Sequence, residues 1–371
     1  MSRRLLLVGG GHSHIEVLRR WALAPEPGTT LTLISPERHT AYSGMLPGHI
    51  GGDYSHAECH IDLDALCDAA GATRIEAAVT GLDLAARRAL ASDGSAHGYD
   101  WLAINVGSVP ATTNIAGSDR HGVAVRPVAN FLAHWEELRA AALSAPRALE
   151  LVVVGNGTAG VEVVLAMQQR IAGEGGRAHF TLAGDGPELL PAHPAAVRRR
   201  FEQRLKDCGI RLRLGQPVTR ASAGLLQFAD GGGLAFDEVL WLTGAGAPAW
   251  PRASGLDCDE RGFIRIDATL RSLSHPDVFA TGDVASMIHA PRPKSGVYAV
   301  RQGPPLHDNL RCALRNEPLR EYQPQRRALA LIGTGDGAAV ASYGPLSWEG
   351  AWVWRWKTRI DRRFMARYRE N

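Results

Sequence analysis

The sequence is short of cysteine and of long apolar runs, and each shortage excludes a class of protein. Its 371 residues include five cysteines, which form neither a CxxC nor a CxxxxC pair, so a disulfide framework is not expected. No segment reaches the roughly 18 consecutive apolar residues of a membrane-spanning helix. The first apolar run, Leu5 to Val8, is too short for a signal peptide. We therefore expect free thiols and a cytoplasmic protein.

Cys67 lies in the segment HIDLDALCDAAG, whose pattern suggests a helix, and Cys59 directly precedes this segment. The two cysteines could share that helix. Eight residues of helical rise would separate them by roughly 12 Å, which is too far for a disulfide bond. The pattern therefore predicts two separate thiols.

The net charge is small and unevenly spread. It is only +3 overall, yet residues 345–371 carry seven basic side chains against three acidic ones. A protein that binds nucleic acid more often carries its basic excess across the body of a domain. We therefore expect no nucleic acid partner. The length predicts two or three domains.

The segment LLLVGGGHSHIEVLRR has the pattern of a strand, a glycine turn and a helix. Gly9 and Gly11 occupy the first two glycine positions of a dinucleotide-binding turn, which make the tight turn and admit a pyrophosphate. His14 stands where the third glycine belongs, so its imidazole either packs in the interior or points toward the cofactor. Alone, this turn is a weak match.

A second turn follows the full pattern. In ELVVVGNGTAGVEVVLAM, Gly155, Gly157 and Gly160 form a complete GxGxxG between a β-branched strand and an apolar helix. Two such turns in one chain predict two dinucleotide sites.

A third signature resembles a known superfamily. HPDVFATGDVAS places Gly282 and Asp283 after a short strand, and this resembles the second FAD signature of the flavoprotein disulfide reductases, in which the aspartate holds the ribityl chain. YDWLAINVGSVP, with Gly107, and DEVLWLTGAGAPAW look like the two crossover segments of that superfamily. The resemblance implies FAD and a nicotinamide nucleotide.

The resemblance also implies an α/β fold with two Rossmann-like dinucleotide-binding domains of the glutathione reductase type. Residues 1–112 and 268–325 would form a discontinuous FAD domain, and residues 113–267 an inserted NAD(P)H domain. Residues 326–371 would form a C-terminal segment with an amphipathic basic and aromatic helix.

A redox cysteine pair is missing where disulfide reductases keep one, because ISPERHTAYSGMLPGHIGGDYS contains no cysteine. The chain is therefore similar to the type II NADH dehydrogenase branch, which passes electrons from NAD(P)H through FAD to a separate acceptor. GGGHSHIEVLRR, LISPERHTAYSGMLPG, RPKSGVYAVRQGPPLHDNL and WVWRWKTRIDRRFMARY further resemble the oxidoreductase found alone or fused to selenide, water dikinase. In that branch the histidine turn is the normal form, which favours a cofactor role for His14.

Several expected cofactor contacts depart from the usual pattern. Ser35 stands where an acidic residue normally binds the FAD ribose, Arg38 is a candidate phosphate contact, and Val79 matches a position that reads adenine through its backbone. Gly184 stands where a carboxylate would select NADH. Without that carboxylate, the arginine run 198–200 is a candidate contact for a 2′-phosphate, so NADH or NADPH is expected.

Two residues are candidates for catalysis. Glu162 follows the second turn and would lie near the nicotinamide and flavin, unless it only matches the positive end of its helix. Lys294 would place a cation near the flavin, unless it is a solvated lysine. No histidine or cysteine cluster predicts a metal site.

The sequence leaves the identity of the electron acceptor undecided. Relatives that reduce quinones carry Ala-Gln-x-Ala-x-Gln after the Asp283 motif, and only Ala299 and Gln302 agree here. The C-terminal helix is predicted to carry an apolar stripe flanked by basic residues, suited either to an anionic membrane surface or to the core. The members of the stripe are Val353, Trp356, Ile360, Phe364 and either Met365 or Tyr368.

Three functions fit these patterns. The first is an FAD-dependent NAD(P)H oxidoreductase with a small-molecule or protein electron acceptor. The second is a membrane-associated NADH:quinone reductase, peripheral at the inner membrane face. The third is a non-enzymatic FAD-binding partner in selenium metabolism.

Overall fold

The computed structural model describes residues 2–369, which form ten α-helices and twenty-five short strands. The helices are α1 (His12–Leu23), α2 (Leu46–Gly51), α3 (His56–Cys59), α4 (Leu63–Ala70), α5 (Val128–Ser144), α6 (Thr158–Gly173), α7 (Ala195–Asp207), α8 (Trp250–Ala253), α9 (Gly296–Arg315) and α10 (Ala351–Ala366). The strands of the first half are β1 (Arg3–Val8), β2 (Thr29–Ile34), β3 (His39–Ala41), β4 (His60–Asp62), β5 (Thr73–Ile75), β6 (Val79–Asp83), β7 (Arg88–Ala91), β8 (Ala96–Gly98), β9 (Trp101–Ile104), β10 (Val109–Pro110), β11 (Val123–Ala124), β12 (Leu149–Val154) and β13 (Ala178–Gly184). The remaining strands are β14 (Arg211–Leu214), β15 (Val218–Ser222), β16 (Leu225–Phe228), β17 (Gly233–Ala235), β18 (Glu238–Trp241), β19 (Ala245–Gly246), β20 (Ile264–Ile266), β21 (Val278–Ala280), β22 (Ala285–Met287), β23 (Ala330–Gly333), β24 (Ala339–Tyr343) and β25 (Leu346–Gly350).

Five parallel strands form the first sheet, in the order β21, β9, β1, β2, β5. The LLLV run of β1 is wholly buried, as expected of a strand covered on both faces of a parallel sheet. The carboxyl ends of β1, β9 and β21 meet at one edge of this sheet. That edge is where open α/β sheets bind ligands.

A second parallel sheet has the order β11, β18, β12, β13, β14. All of its strands lie within residues 123–241, whereas β21 of the first sheet begins at Val278. The second unit is therefore inserted between two strands of the first, and each unit has its own apolar core. The predicted fold class, two Rossmann-like units with a C-terminal helix, is confirmed.

The two predicted crossover segments pair with each other. β10 and β19 are antiparallel, with Val109 opposite Gly246. After this crossing, Leu256, Ile264 and Ile266 pack in the core of the first unit, and β20 pairs with β22. These contacts favour a boundary before Leu256, ahead of the one predicted at residue 268.

The structure contains two local features that the sequence patterns did not predict. Cys59 ends α3 and Cys67 lies in α4, with β4 between them, because His60 to Asp62 pair with β3. The predicted C-terminal helix is confirmed as α10, and β23, β24 and β25 form an antiparallel sheet before it.

The predicted stripe of α10 was partly wrong. Trp356 and Ile360 are exposed, and Lys357 and Asp361 take inward positions. A buried ion pair explains the difference, because a pattern of apolar residues cannot detect a helix face that contains two charges. The rest of the inner face is formed by Val353, Phe364, Met365 and Tyr368.

Candidate functional site

The first glycine turn closes tightly against the end of β9. Gly9 has φ +92°, and a Cβ there would lie 2.6 Å from the backbone oxygen of Asn105. Gly11 precedes α1, and a Cβ there would lie 2.1 Å from the Asn105 side-chain oxygen. Only glycine fits at either position without moving the backbone.

Asn105 joins the three strand ends at this edge. Its backbone N–H donates to Val8 O at 2.8 Å, its Oδ1 accepts from Ser13 N at 3.2 Å, and its Nδ2 donates to Thr281 O at 2.7 Å. Sequence reasoning missed this residue, although its place at the end of the apolar strand LAIN was a usable signal.

The two histidines of the turn differ in their surroundings. His14 is fully buried, and its Nδ1 lies 2.7 Å from Gly9 O, so it braces the turn. His12 is only half-buried as a residue, although its Nε2 atom is buried. Among residues 2–369, neither the Nε2 of His12 nor the Nε2 of His14 has a hydrogen-bond partner. The ring of His12 lies 5.6 Å from the Tyr42 ring. Burial lowers the pKa of His12 to about 4, so it is neutral at pH 7.

Asp283 lies beside an arginine from the inserted unit. Gly282 has φ +71°, and its N–H donates to Gln302 Oε1 at 2.6 Å. Asp283 Oδ2 is 3.3 Å from the guanidinium of Arg126, which also donates to Ser108 Oγ at 2.6 Å. Arg126 therefore ties the second unit to the signature aspartate. Sequence reasoning gave no sign of it.

The remaining candidates of the first unit lie around β2 and β6. Ser35 follows β2, is buried, and donates to Glu37 O at 3.2 Å. Arg38 pairs with Asp62 at 3.2 Å and with a second carboxylate at 3.1 Å. Val79 begins β6. Gly107 has φ +74° and lies next to the guanidinium of Arg126. Ser35 is thus at the turn edge, whereas the charge of Arg38 is already balanced.

The second glycine turn shows the three expected roles separately. Gly155 has φ +141°, and a Cβ there would lie 2.1 Å from Leu242 O. Gly160 is in α6, and its Cβ would lie 1.8 Å from Gly155 O. Gly157, in contrast, has open space where a Cβ would be. The first and third glycines are therefore required by packing, and the second leaves backbone accessible to a ligand.

The end of β13 has no room for the usual carboxylate. A Cβ at Gly184 would lie 2.6 Å from the Asn156 side chain. Asp185 is turned onto its own loop, where it accepts from Gly186 N at 2.8 Å. Of the arginine run, Arg198 bonds Glu188, and Arg200 donates to Ser347 at 3.2 Å. Two of the three predicted phosphate contacts thus have partners elsewhere.

His193 lies at the mouth of the second turn. Its Nε2 is 3.1 Å from Oγ1 of Thr158, the first residue of α6, and its Nδ1 is 3.0 Å from Ser342 Oγ in β24. Asn156 holds the same loop in place by donating to Glu188 O at 2.6 Å. The sequence offered no pattern that singles out His193.

Glu162 is half-buried and lies in a cluster of charges between the two units, beside the buried Lys357 and Asp361. Burial raises its pKa to about 7, against the opposing effects of Lys357 and of a hydrogen bond from Gly333 N at 2.7 Å. Lys357 Nζ bonds Asp361 at 2.8 Å and also Gly44 O. Burial alone would lower the pKa of Lys357, but Asp361 and Glu162 raise it above its usual range. The cluster can therefore hold a titratable proton near neutral pH.

Lys294 lies on the other side of the crevice, just before α9. Its Nζ bonds Ala285 O and lies 4.0 Å from the centre of the Phe263 ring. Burial lowers its pKa to about 8, although Asp283 opposes this effect. It is a half-buried cation with a backbone partner, and not the solvated lysine that was the alternative.

The C-terminal segment contacts both units. On the second unit, Gly333 bonds Glu162 and Ser342 bonds His193. On the first, Phe364 stacks on Tyr42 with ring centres 4.4 Å apart, and Tyr368 donates to Glu16 at 3.0 Å. Helix α10 therefore covers the stretch after β2 in which disulfide reductases carry their cysteines.

Two parallel sheets, each ending in a glycine turn, define a two-dinucleotide oxidoreductase fold. Residues 3–303 match the family model described as pyridine nucleotide-disulphide oxidoreductase. The chain belongs to this family, as the sequence predicted at that level.

Relatives agree with this assignment. An NADH dehydrogenase-like protein of Mycobacterium tuberculosis is 30% identical over 240 residues, which cover 62% of this chain and 59% of the relative. Demethylphylloquinone reductase of Synechocystis is 27% identical over 281 residues, 72% of this chain and 68% of the relative. The match thus spans less than two thirds of the mycobacterial protein.

The fold also has a solved counterpart. The sulfide:quinone oxidoreductase of Aquifex aeolicus superposes with a TM-score of 0.81 at 15% identity, covering 99% of this chain and 92% of that one.

Among residues 2–369, no group of three or more His, Cys, Asp or Glu side chains is arranged to hold a metal ion.

Proposed function

We propose that the protein is an FAD-dependent oxidoreductase that takes electrons from NADH or NADPH and delivers them to a separate acceptor, without a redox disulfide of its own. The observation that carries the proposal is the pair of glycine turns at the carboxyl ends of two parallel sheets. The cluster of Glu162, Lys357 and Asp361 lies between the two units and supports it. The five cysteines are free thiols, which supports an external acceptor.

The first unit fits FAD. The turn at Gly9 and Gly11 brings backbone N–H groups of the α1 N-terminus to an anion, and Asp283 offers a carboxylate to ribityl hydroxyls. His12 Nε2 is a buried polar atom without a protein partner, which a polar cofactor would satisfy. When bound, FAD supplies the hydride and electron chemistry that side chains lack.

The second unit fits the nicotinamide nucleotide. Gly157 leaves open space in front of the α6 N-terminus, where a pyrophosphate is favoured. Gly184 supplies no carboxylate to repel a 2′-phosphate, which supports acceptance of both NADH and NADPH.

Within the cluster, Glu162 would exchange a proton, and Lys357 would hold the neighbouring groups in place. A carboxyl group with pKa near 7 exchanges its proton readily at neutral pH. Lys357 stays charged and holds Asp361 and the Gly44 carbonyl in place.

An anaerobic titration tests the proposal. Purified protein should show a flavin band near roughly 450 nm, which the cofactor supplies, and NADH or NADPH should bleach it. The nucleotide that bleaches the flavin band is the electron donor. A yellow protein that neither nucleotide bleaches would contradict the oxidoreductase and favour a flavin-bearing partner, which the resemblance to the oxidoreductase of selenide, water dikinase would place in selenium metabolism.

A quinone acceptor at a membrane surface is the second candidate, and the outer face of α10 favours it. Trp352, Trp356 and Ile360 are 49%, 38% and 41% exposed on one stripe, flanked by Arg355 and Arg359. Such a face suits an anionic membrane surface. Within residues 2–369, every helix is too short or too polar to cross a bilayer. Reoxidation of the bleached protein by a short-chain quinone would support this acceptor.

His193 provides a test of the nucleotide site. Because it bonds Thr158 at the start of α6, we expect His193→Gln to weaken NAD⁺ binding several-fold, measured by calorimetry at pH 7. His179→Gln is the matched control, since that exposed histidine lies at the opposite end of β13. Equal affinities of the two variants for NAD⁺ would show that His193 does not contribute to nucleotide binding.

A further inference from the structure

A groove of about 560 Å³ runs along one side of α10, away from the turns. Tyr54 and Asp53, from the loop after α2, form one wall of the groove. The other wall is formed by α10, with Trp354, Thr358 and three arginines. The volume lies within the range of sites for small organic molecules, about 300 to 1,000 Å³.

The three arginines of the groove are Arg355, Arg359 and Arg362. Arg362 pairs with Glu58 at 3.1 Å. Within the described part of the chain, neither Arg355 nor Arg359 has a carboxylate within ion-pair distance, although most other arginines do. The groove therefore contains uncompensated positive charge.

The uncompensated arginines lower the stability of α10. Arg355 and Arg359 are four residues apart, as are Arg359 and Arg363, so like charges lie next to each other on one surface. An anion bound between them would relieve the repulsion. Among the described residues, Asp53 is the one carboxylate that lines the groove against three arginines, and the charge of Arg170 in α6 also acts on it. The groove therefore stays positive overall.

The walls are rigid enough to position a ligand. Trp354 stacks on Tyr54, with ring centres 6.1 Å apart and planes at 29°. The Tyr54 and Thr358 hydroxyls are 3.0 Å apart and bonded. The groove thus combines fixed aromatic surface with guanidinium groups, whose planar forks match phosphate oxygens.

We propose that this groove binds the phosphate group of an organic phosphate. Its volume exceeds that of a bare anion, and its aromatic wall suits the organic body that carries the phosphate. The phosphate has two candidate sources, a free phosphate ester or a lipid headgroup. The latter is brought into range by the neighbouring stripe of Trp352 and Trp356, whose rings stack 6.4 Å apart.

Two double variants with the same loss of charge test the proposal in the FAD-loaded protein. R355Q/R359Q removes the unpaired arginines of the groove, and R363Q/R367Q removes two exposed arginines of the same helix segment outside it. Glycerol 3-phosphate, followed by calorimetry, probes the free ester. Vesicles of phosphatidylcholine with and without phosphatidylglycerol, followed by sedimentation, probe the lipid.

We expect wild type and R363Q/R367Q to bind at least one probe with affinities within about threefold of each other, and R355Q/R359Q to lose tenfold or more. Loss of ester binding identifies a free phosphate, and loss confined to the phosphatidylglycerol vesicles identifies a headgroup. Equal weakening in both variants, or no binding of either probe by wild type, would overturn the proposal. Bleaching by NAD(P)H should be unchanged in both variants, so this result is separate from that of the proposed function.

Discussion

Gly157→Ala should fold normally and yet lose tenfold or more in affinity for NAD⁺, about 1.4 kcal/mol. The backbone at Gly157 has φ −80° and ψ −176°, which any residue adopts, and no heavy atom lies within 4 Å of an added Cβ. Unfolding free energy should therefore change by less than about 0.5 kcal/mol. The methyl group would obstruct only a ligand that approaches the backbone closely, as a pyrophosphate does. Calorimetry with NAD⁺ and denaturant unfolding measure the two quantities.

Gly173→Ala is the matched control, because Gly173 ends the same helix and also has open space around it. It should bind NAD⁺ like the wild type and be slightly more stable, by up to about 1 kcal/mol. If Gly157→Ala binds NAD⁺ with unchanged affinity, the nucleotide does not approach this turn.

Glu162→Gln should stabilise the protein increasingly as pH rises from 5 to 8. In the folded chain the pKa of Glu162 is about 7, against 4.5 for an ordinary glutamate, so the folded state holds a proton that the unfolded state has released between these values. Wild-type stability therefore falls as pH rises through this window, and glutamine removes the fall. The difference between variant and wild type should grow by about 2 to 3 kcal/mol, measured by denaturant unfolding at both pH values.

The same variant should alter activity. The rate of NAD(P)H oxidation in wild type should depend on pH with an apparent pKa near 7, and this dependence should disappear in Glu162→Gln while the Gly333 hydrogen bond is retained. Glu137→Gln is the control, because the Glu137 side chain is 81% exposed. A pH profile that persists in Glu162→Gln would assign the titration to another group.

The parts of this structure that could be predicted from sequence are local ones. Gly9 and Gly155 stand directly between a strand and a helix, and both have positive φ, so a pattern of neighbouring residues was enough to find them. The insertion of one unit into the other followed from the order of such patterns along the chain.

The residues that sequence reasoning missed depend on contacts between distant segments. Asn105 links β9 to Thr281, and Arg126 reaches Asp283 from another unit. In the sequence, Lys357 looks like any solvent-exposed lysine of a basic helix. Its burial depends on bonds to Asp361 and to the carbonyl of Gly44. Lys357 and Asp361 do fall at helical spacing with Val353 and Phe364, but a search for apolar residues on one helix face passes over charged ones.

The pairing of β21 with β9 determines when the first sheet can be completed during synthesis. Leu102 of β9 lies opposite Val278 of β21, and the whole of the inserted unit lies between them. Inserted units fold as units once their residues are available, whereas distant strand pairs close slowly. We therefore expect the nicotinamide unit to fold on the ribosome first, while β1, β2 and β9 remain without their edge strand. Asp283 follows β21, so under the proposed function a flavin site that uses this carboxylate would be complete only after the second unit has been made.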